Sequence, residues 1–176
     1  NGWEVVGLIR ASSNIERLRD LPVSFIHGDI TNFESIQSGV ASADTVFHLA
    51  APTVVRGEEG RNVVMQGVKN ICNAMLPHKK DKRLVYISST VTVGVVDRPD
   101  KALNEKNAAR LEGTDYQKVK WDAEEYLTTF AREHDLEVVI VNPSTIMGPG
   151  DLRPTPPDQL VVDFLNYRGG WRWLTD

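Results

Sequence analysis

"RLVYISST", Arg83 to Thr90, is the stretch on which the fold turns. Its apolar part, Leu84 to Ile87, runs without alternation, so a strand made from it would have no polar face. That pattern belongs to a strand covered on both sides, as in a parallel sheet. The run stops at Ser88, Ser89 and Thr90, where small hydroxyl side chains take over. The same grammar recurs on either side of it: "WEVVGLI" (Trp3 to Ile9), "VSFIHG" (Val23 to Gly28), "DTVFHLA" (Asp44 to Ala50) and "LEVVIVN" (Leu136 to Asn142). Each is a short run of mostly branched or aromatic residues and reads as a buried parallel strand.

Helical patterns separate these runs. Thr31 with Glu34, and Thr114 with Gln117, have the spacing of capping boxes, in which two side chains satisfy orphaned donors at a helix start. Val64, Val68, Ile71, Cys72 and Met75 form one apolar helical stripe; Ala123, Tyr126, Leu127 and Phe130 form another. The predicted order is β-α-β-α-β-α-β-α-β, which argues for an α/β fold with a doubly wound parallel sheet and right-handed crossovers. In such sheets ligands bind beyond the carboxyl ends of the strands. Arg10, "GDI" (Gly28 to Ile30), "AAP" (Ala50 to Pro52), "SST" and "NPS" (Asn142 to Ser144) all fall there.

The 176 residues are 41% hydrophobic and 25% charged, enough to bury a sizeable core in one globular domain, and the net charge of −4 gives no basic surface for nucleic acid or an anionic membrane. A small-molecule partner is expected. Cys72 has no partner for an internal disulfide and sits in an apolar stripe, the place of a buried structural thiol in a reducing compartment. With no membrane-length apolar run and no leader pattern, a soluble cytoplasmic protein is expected. His27, His48, His78 and His134 are scattered without zinc-ligand spacing, so no metal is implied. "PHKKDKR" (Pro77 to Arg83) reads as a solvated turn from helix to strand rather than a binding patch. "GPGDLRPTPP" (Gly148 to Pro157) reads as a linker before a short helix opened by Thr155 and Pro156, dividing the chain into 1–150 and 151–176.

Tyr116 and Lys120 stand four residues apart in "DYQKVKWDAEEYL" (Asp115 to Leu127), so a helix would set phenol and ammonium on one face. Alone, such a pair is most simply a solvated helix contact. In this sequence it stands in order with "HGDITN" (His27 to Asn32), "FHLAAP" (Phe47 to Pro52), "YISSTVTVG" (Tyr86 to Gly94) and "NPSTIMGPGD" (Asn142 to Asp151). From about Trp3 to Asp151 the set resembles the extended short-chain dehydrogenases/reductases, the NAD-dependent epimerase/dehydratase family. The wording is most like sugar-epimerase-type and dihydroflavonol-reductase or 3β-hydroxysteroid-dehydrogenase-type members.

That resemblance implies a Rossmann-like NAD(P)-binding domain over 1–150 and the beginning of a substrate lobe over 151–176. It implies Tyr116 as general acid or base, Lys120 as the cation that lowers the phenol's pKa from about 10 and binds the nicotinamide ribose, and Ser89 as the hydroxyl holding the substrate oxygen, with Thr90 as runner-up. Asp29 and Ile30 would close the adenine pocket, and Leu49, Ala50 and Ala51 would let the dinucleotide pass close to the main chain. Pro143 and Ser144 would position the carboxamide, and Asn62 would support the active-site loop. Arg10, with Ser12 and Ser13 beside it, favours the 2′-phosphate of NADP over the 2′-hydroxyl of NAD without excluding NAD. A homodimer paired through helices flanking the sheet is a quaternary state the resemblance allows.

The expected function is reduction of a ketone or oxidation of a secondary alcohol. The alternatives are a nucleotide-sugar epimerase or dehydratase that retains NAD, and a non-catalytic dinucleotide-binding module. One departure stands out: no glycine-rich turn joins a strand to a helix, so the pyrophosphate seat is missing. The chain is therefore expected to be a fragment lacking the family's first strand and most of its substrate lobe. The strands ending at Ile9 and Ala50 would then lack their shared neighbour.

Overall fold

The computed structural model describes residues 2–52, 55–94, 102–104, 113–146 and 156–166. The chain divides into two compact units, Asn1–Asn142 and Pro143–Asp176. Among the described residues the first contains five strands, β1 (Val5–Ile9), β2 (Val23–His27), β3 (Thr45–His48), β4 (Arg83–Ile87) and β5 (Glu137–Val141). It also contains helices α1 (Phe33–Ser42), α2 (Gly57–Met75) and α3 (Asp115–His134). The second contains α4 (Pro156–Asn166); the expected linker and its helix-opening Thr155 lie outside the described residues up to that helix.

All five expected strands form and every pairing is parallel, with β4 central in the order β3-β4-β5 and β1 paired with β2 in a separate ladder. β1 and β3 each lack a second neighbour among the described residues. Val5, Val6 and Leu8 on β1 and Phe47 on β3 are correspondingly exposed. A strand set between them would join the two ladders into one sheet, the gap that the absent glycine-rich element predicts.

The expected helix between β1 and β2 is corrected to a single 3-10 turn, Glu16–Leu18. The cause is local. Arg10 and Ser13 close a tight turn, Asn14 uses its side chain to accept from Glu16 N at 2.9 Å, and Pro22 disfavours helical backbone just before β2. A second correction concerns the start of α1. Asn32, not Thr31, caps it by accepting from Ser35 N at 3.3 Å, because Thr31 is already committed to Asp29. The capping box at α3 forms as expected: Thr114 Oγ1 accepts from Gln117 N at 3.3 Å, and Gln117 Oε1 accepts from Thr114 N at 2.8 Å.

The core lies where the helical layer meets the sheet. Val68, Ile71, Cys72 and Met75 of α2 pack with Leu84 and Tyr86 of β4, and with Ala123, Leu127 and Phe130 of α3. Truncating one of these, such as Leu127, would cost about 2–5 kcal/mol by transfer and cavity terms. Burial pushes the Cys72 thiol up to about 12, the behaviour of a structural cysteine. In register with Leu84 and Tyr86, Val46 and His48 face this core, whereas Phe47 and Val139 point to the opposite side and are exposed. Two lysines of the basic cluster close helix ends rather than standing in solvent. Lys79 Nζ donates to His134 O of α3, and the buried Lys82 donates to Ala41 O and Ala43 O at the end of α1.

Candidate active site

Parallel strands place their carboxyl ends on one side of a ladder, and each expected site residue of the first unit follows such an end, except Asn62 on α2 and the pair on α3. Ser88 and Ser89 follow β4. Ser88 is buried and its hydroxyl donates to Glu124 Oε1, so it has no free proton to offer. Ser89 is half-buried and caps the 3-10 turn Thr90–Thr92, its Oγ accepting from Val91 N at a long 3.4 Å. Thr90 is exposed.

Tyr116 and Lys120 lie on the first two turns of α3. The capping box fixes that start, and Asp115 Oδ2 anchors it to α2 by accepting from Gly57 N at 2.7 Å. Gly57 takes a left-handed backbone (φ 60°) that a side chain would resist. An ion pair of 2.8 Å between Arg61 and Asp122 fixes the two helices further along. Half-buried Tyr116 packs on Val55, Val64 and Val119. Lys120 is only 5% exposed. Its Nζ donates to Ile87 O at 2.9 Å, stands 3.4 Å from the Tyr86 hydroxyl, and lies 4.8 Å from the Tyr86 ring centre and 5.9 Å from that of Tyr116. Burial lowers the Lys120 ammonium to about 8, against the opposing pull of Glu124. Tyr86 is moved the other way, far above its ordinary value, by burial first and then by the charges of Glu124 and Tyr116. Tyr86 therefore stays protonated, which leaves Tyr116 as the accessible phenol beside this cation.

Two further side chains are not among the expected site residues. His48, at the end of β3, is buried against the Tyr86 ring, and its Nε2 has no hydrogen-bond partner among the described residues. Burial, reinforced by the Lys120 charge, lowers it to about 4. Glu124 is the other: besides Ser88, its Oε1 accepts from Thr92 Oγ1 and from Asn142 Nδ2, each at 2.8 Å. The signal was the helical spacing Tyr116, Lys120, Glu124, four and four, which sets all three on one face.

The remaining residues lie around the ends of β1, β2 and β3. Asp29 Oδ1 accepts from Thr31 N at 2.9 Å and Thr31 Oγ1 at 2.7 Å, and these bonds, with a smaller pull from Arg10, hold its carboxyl below the usual range. Gly28 is required by close approach: a Cβ there would lie 2.8 Å from Ser35 O. Ile30 is fastened to α2, its carbonyl accepting from Asn70 Nδ2 at 2.8 Å and its side chain covering Gly67. Leu49, Ala50 and Ala51 are exposed after β3, as is Arg10 after β1. Asn62 is exposed and lines an open hollow with Thr31 and Gln66; the bonds that hold the Ser89 carbonyl come instead from Thr92 and Asn142. Pro143 and Ser144 begin the second unit.

A nicotinamide dinucleotide suits this donor set. Arg10 and Lys120 supply cations, Asp29 an acceptor fixed by Thr31, and the exposed Ala50 and Ala51 a rim without bulky side chains. The pyrophosphate-seating glycine turn is not among these residues.

Comparison with known proteins bears on the same point. The profile of the NAD dependent epimerase/dehydratase family matches residues 1–166. A putative dihydroflavonol 4-reductase of Synechocystis sp. is 31% identical over 93% of this chain and 48% of its own. The crystal structure of gox2253 superposes with a TM-score of 0.80 at 25% identity, covering 92% of this chain and 50% of that one. A dTDP-glucose 4,6-dehydratase from Bacillus anthracis, solved in complex with NAD, shares the fold with a TM-score of 0.76 at 16% identity, covering 93% of this chain and 53% of its own. The chain spans about half the length of these relatives.

Proposed function

The chain belongs to the NAD dependent epimerase/dehydratase family, and on that footing we propose that the protein containing it is a nicotinamide-dependent oxidoreductase of the extended short-chain type, interconverting a ketone and a secondary alcohol. The observation that carries this reading is the buried Lys120 ammonium held on the Ile87 carbonyl at a strand end, one helical turn from a half-buried phenol. Burying an ammonium is costly unless something uses its charge.

When bound, the dinucleotide supplies or accepts the hydride at the substrate's carbinol carbon. In the reducing direction Tyr116 gives its hydroxyl proton to the substrate oxygen, with the Lys120 ammonium 5.9 Å from its ring centre. Ser89 donates a hydrogen bond to the same oxygen and fixes its position. Ser88 is unsuited to that task because its proton is committed to Glu124. Asp29 and Ile30 hold the adenosine end, Leu49, Ala50 and Ala51 line the path between, and Lys120 also holds the ribose. Pro143 and Ser144 enter from the family resemblance alone, as does the division into a dinucleotide-binding part (1–150) and the start of a substrate lobe (151–176). Arg10, with the hydroxyls of Ser12 and Ser13 on its turn, suits a 2′-phosphate, so NADP is the preferred cofactor.

No helix among the described residues is long and apolar enough to cross a membrane. We place the protein in the cytoplasm and expect it to pair as a homodimer. The test is to mix the full-length protein with NADPH and a panel of ketones. Release of one NADP per alcohol formed supports the reductase. Tightly retained NAD with no net consumption would overturn it in favour of an epimerase or dehydratase.

A further inference from the structure

We propose that Glu124 is a positioning residue of this site, the anchor by which α3 sets where the Ser89 hydroxyl stands relative to Tyr116. This deepens the functional reading above and rests on it. The argument begins with donors. Ser88 Oγ at the end of β4, Thr92 Oγ1 in the 3-10 turn and Asn142 Nδ2 at the end of β5 all reach the same carboxylate oxygen. A carboxylate accepts and never donates, so it suits a point on which three donors converge. Ser88 is 4% exposed and Thr92 is 2% exposed, so neither hydroxyl can turn to bulk water if that acceptor is removed.

The network then reaches Ser89 itself. Its carbonyl accepts from Asn142 Nδ2 at 3.1 Å and lies 2.9 Å from Thr92 Oγ1, the two groups that Glu124 orients. Thr92 has one hydroxyl proton; when that proton goes to Glu124, Asn142 Nδ2 and the Thr92 backbone N–H, at 3.2 Å, still supply the Ser89 carbonyl. Removing the carboxylate turns the Thr92 proton onto the Ser89 carbonyl and strands the buried Ser88 hydroxyl, which regains a partner by moving the segment that carries Ser89. Because Glu124 stands two turns beyond Tyr116 on the same helix face, one rigid element spaces the proton donor from the clamp on its partner serine.

The test uses the full-length protein with NADPH and a ketone it reduces, and compares Glu124→Ala with Glu124→Gln. In Glu124→Ala, kcat is expected to fall on the order of 100-fold with cofactor Kd within about twofold. Amide exchange should rise over Ser88 to Thr92 while α3 keeps its protection. Glu124→Gln retains an acceptor oxygen and should recover most of both. If Glu124→Ala does not fold, Thr92→Val, which removes one donor from the other side, should show the same pattern at about tenfold. Unchanged kcat or unchanged exchange in the folded variant overturns the proposal. So does a full loss of kcat in Glu124→Gln with the loop still protected, since the charge and not the placement would then matter. Should the wild type reduce no ketone, the functional reading fails by itself, and the exchange measurement still decides whether Glu124 holds the loop.

Discussion

Replacing Lys120 by methionine should make the protein more stable and abolish its chemistry. The side chain keeps its length and its buried packing but loses a charge that the fold disfavours. The fall of the ammonium from 10.5 to about 8 amounts to about 3 kcal/mol against the charged form, at about 1.4 kcal/mol per tenfold change. The lost hydrogen bond to Ile87 O returns about 1 kcal/mol of that. A net gain of about 2 kcal/mol at pH 7 follows. The pH dependence identifies the cause. Below pH 8 the folded and unfolded chains both carry the proton, so the cost is present in full. Between about 8 and 10.5 the folded chain releases the proton first, wild-type stability rises, and the advantage of methionine fades. Urea unfolding of both proteins at pH 7 and pH 10 reads the difference. A Lys120→Met protein less stable than wild type at pH 7, or an advantage that does not shrink with pH, would refute the reasoning.

His48 should set part of the acid limit. Its folded value of about 4 lies below the ordinary 6.5, so as pH falls the unfolded chain takes the proton first and stability drops across that window by up to about 3 kcal/mol. His48→Phe, which also removes the unpartnered Nε2, should lose less stability between pH 7 and pH 4.5 in urea titrations; equal losses would refute this. Arg10→Glu should weaken NADPH binding by about 2 kcal/mol, roughly 30-fold, while leaving NAD binding equal or better. Isothermal titration with both cofactors tests it, and unchanged discrimination counts against a role at the 2′-phosphate.

Local rules carried most of the fold. Unbroken apolar runs such as Leu84–Ile87 became parallel strands, and the α2 stripe from Val64 to Met75 became the core. The split between β1-β2 and β3-β4-β5 was legible in the missing glycine turn. Competition between neighbours misled the reading where several polar residues crowd one turn. Thr31 has the right spacing to cap α1, but Asp29, two residues earlier, captures both its N–H and its hydroxyl and leaves the cap to Asn32. The lysines after α2 looked solvated because their acceptors, the last carbonyls of α1 and α3, are distant in sequence. Long-range pairing also hid the centre of the candidate site. Nothing in "SST" or "NPS" reveals that Ser88, Thr92 and Asn142 meet on Glu124, or that Lys120 stands closer to Tyr86 than to Tyr116.

Deuteride transfer from C4-labelled NADPH, followed in a single turnover by wild type and Tyr116→Phe of the full-length protein, bears most directly on the role given to that phenol. Label should appear at the carbinol carbon of the wild-type product, and the phenylalanine protein should bind the cofactor equally well while transferring label roughly 1,000-fold more slowly. Transfer at the wild-type rate without the hydroxyl would contradict the account.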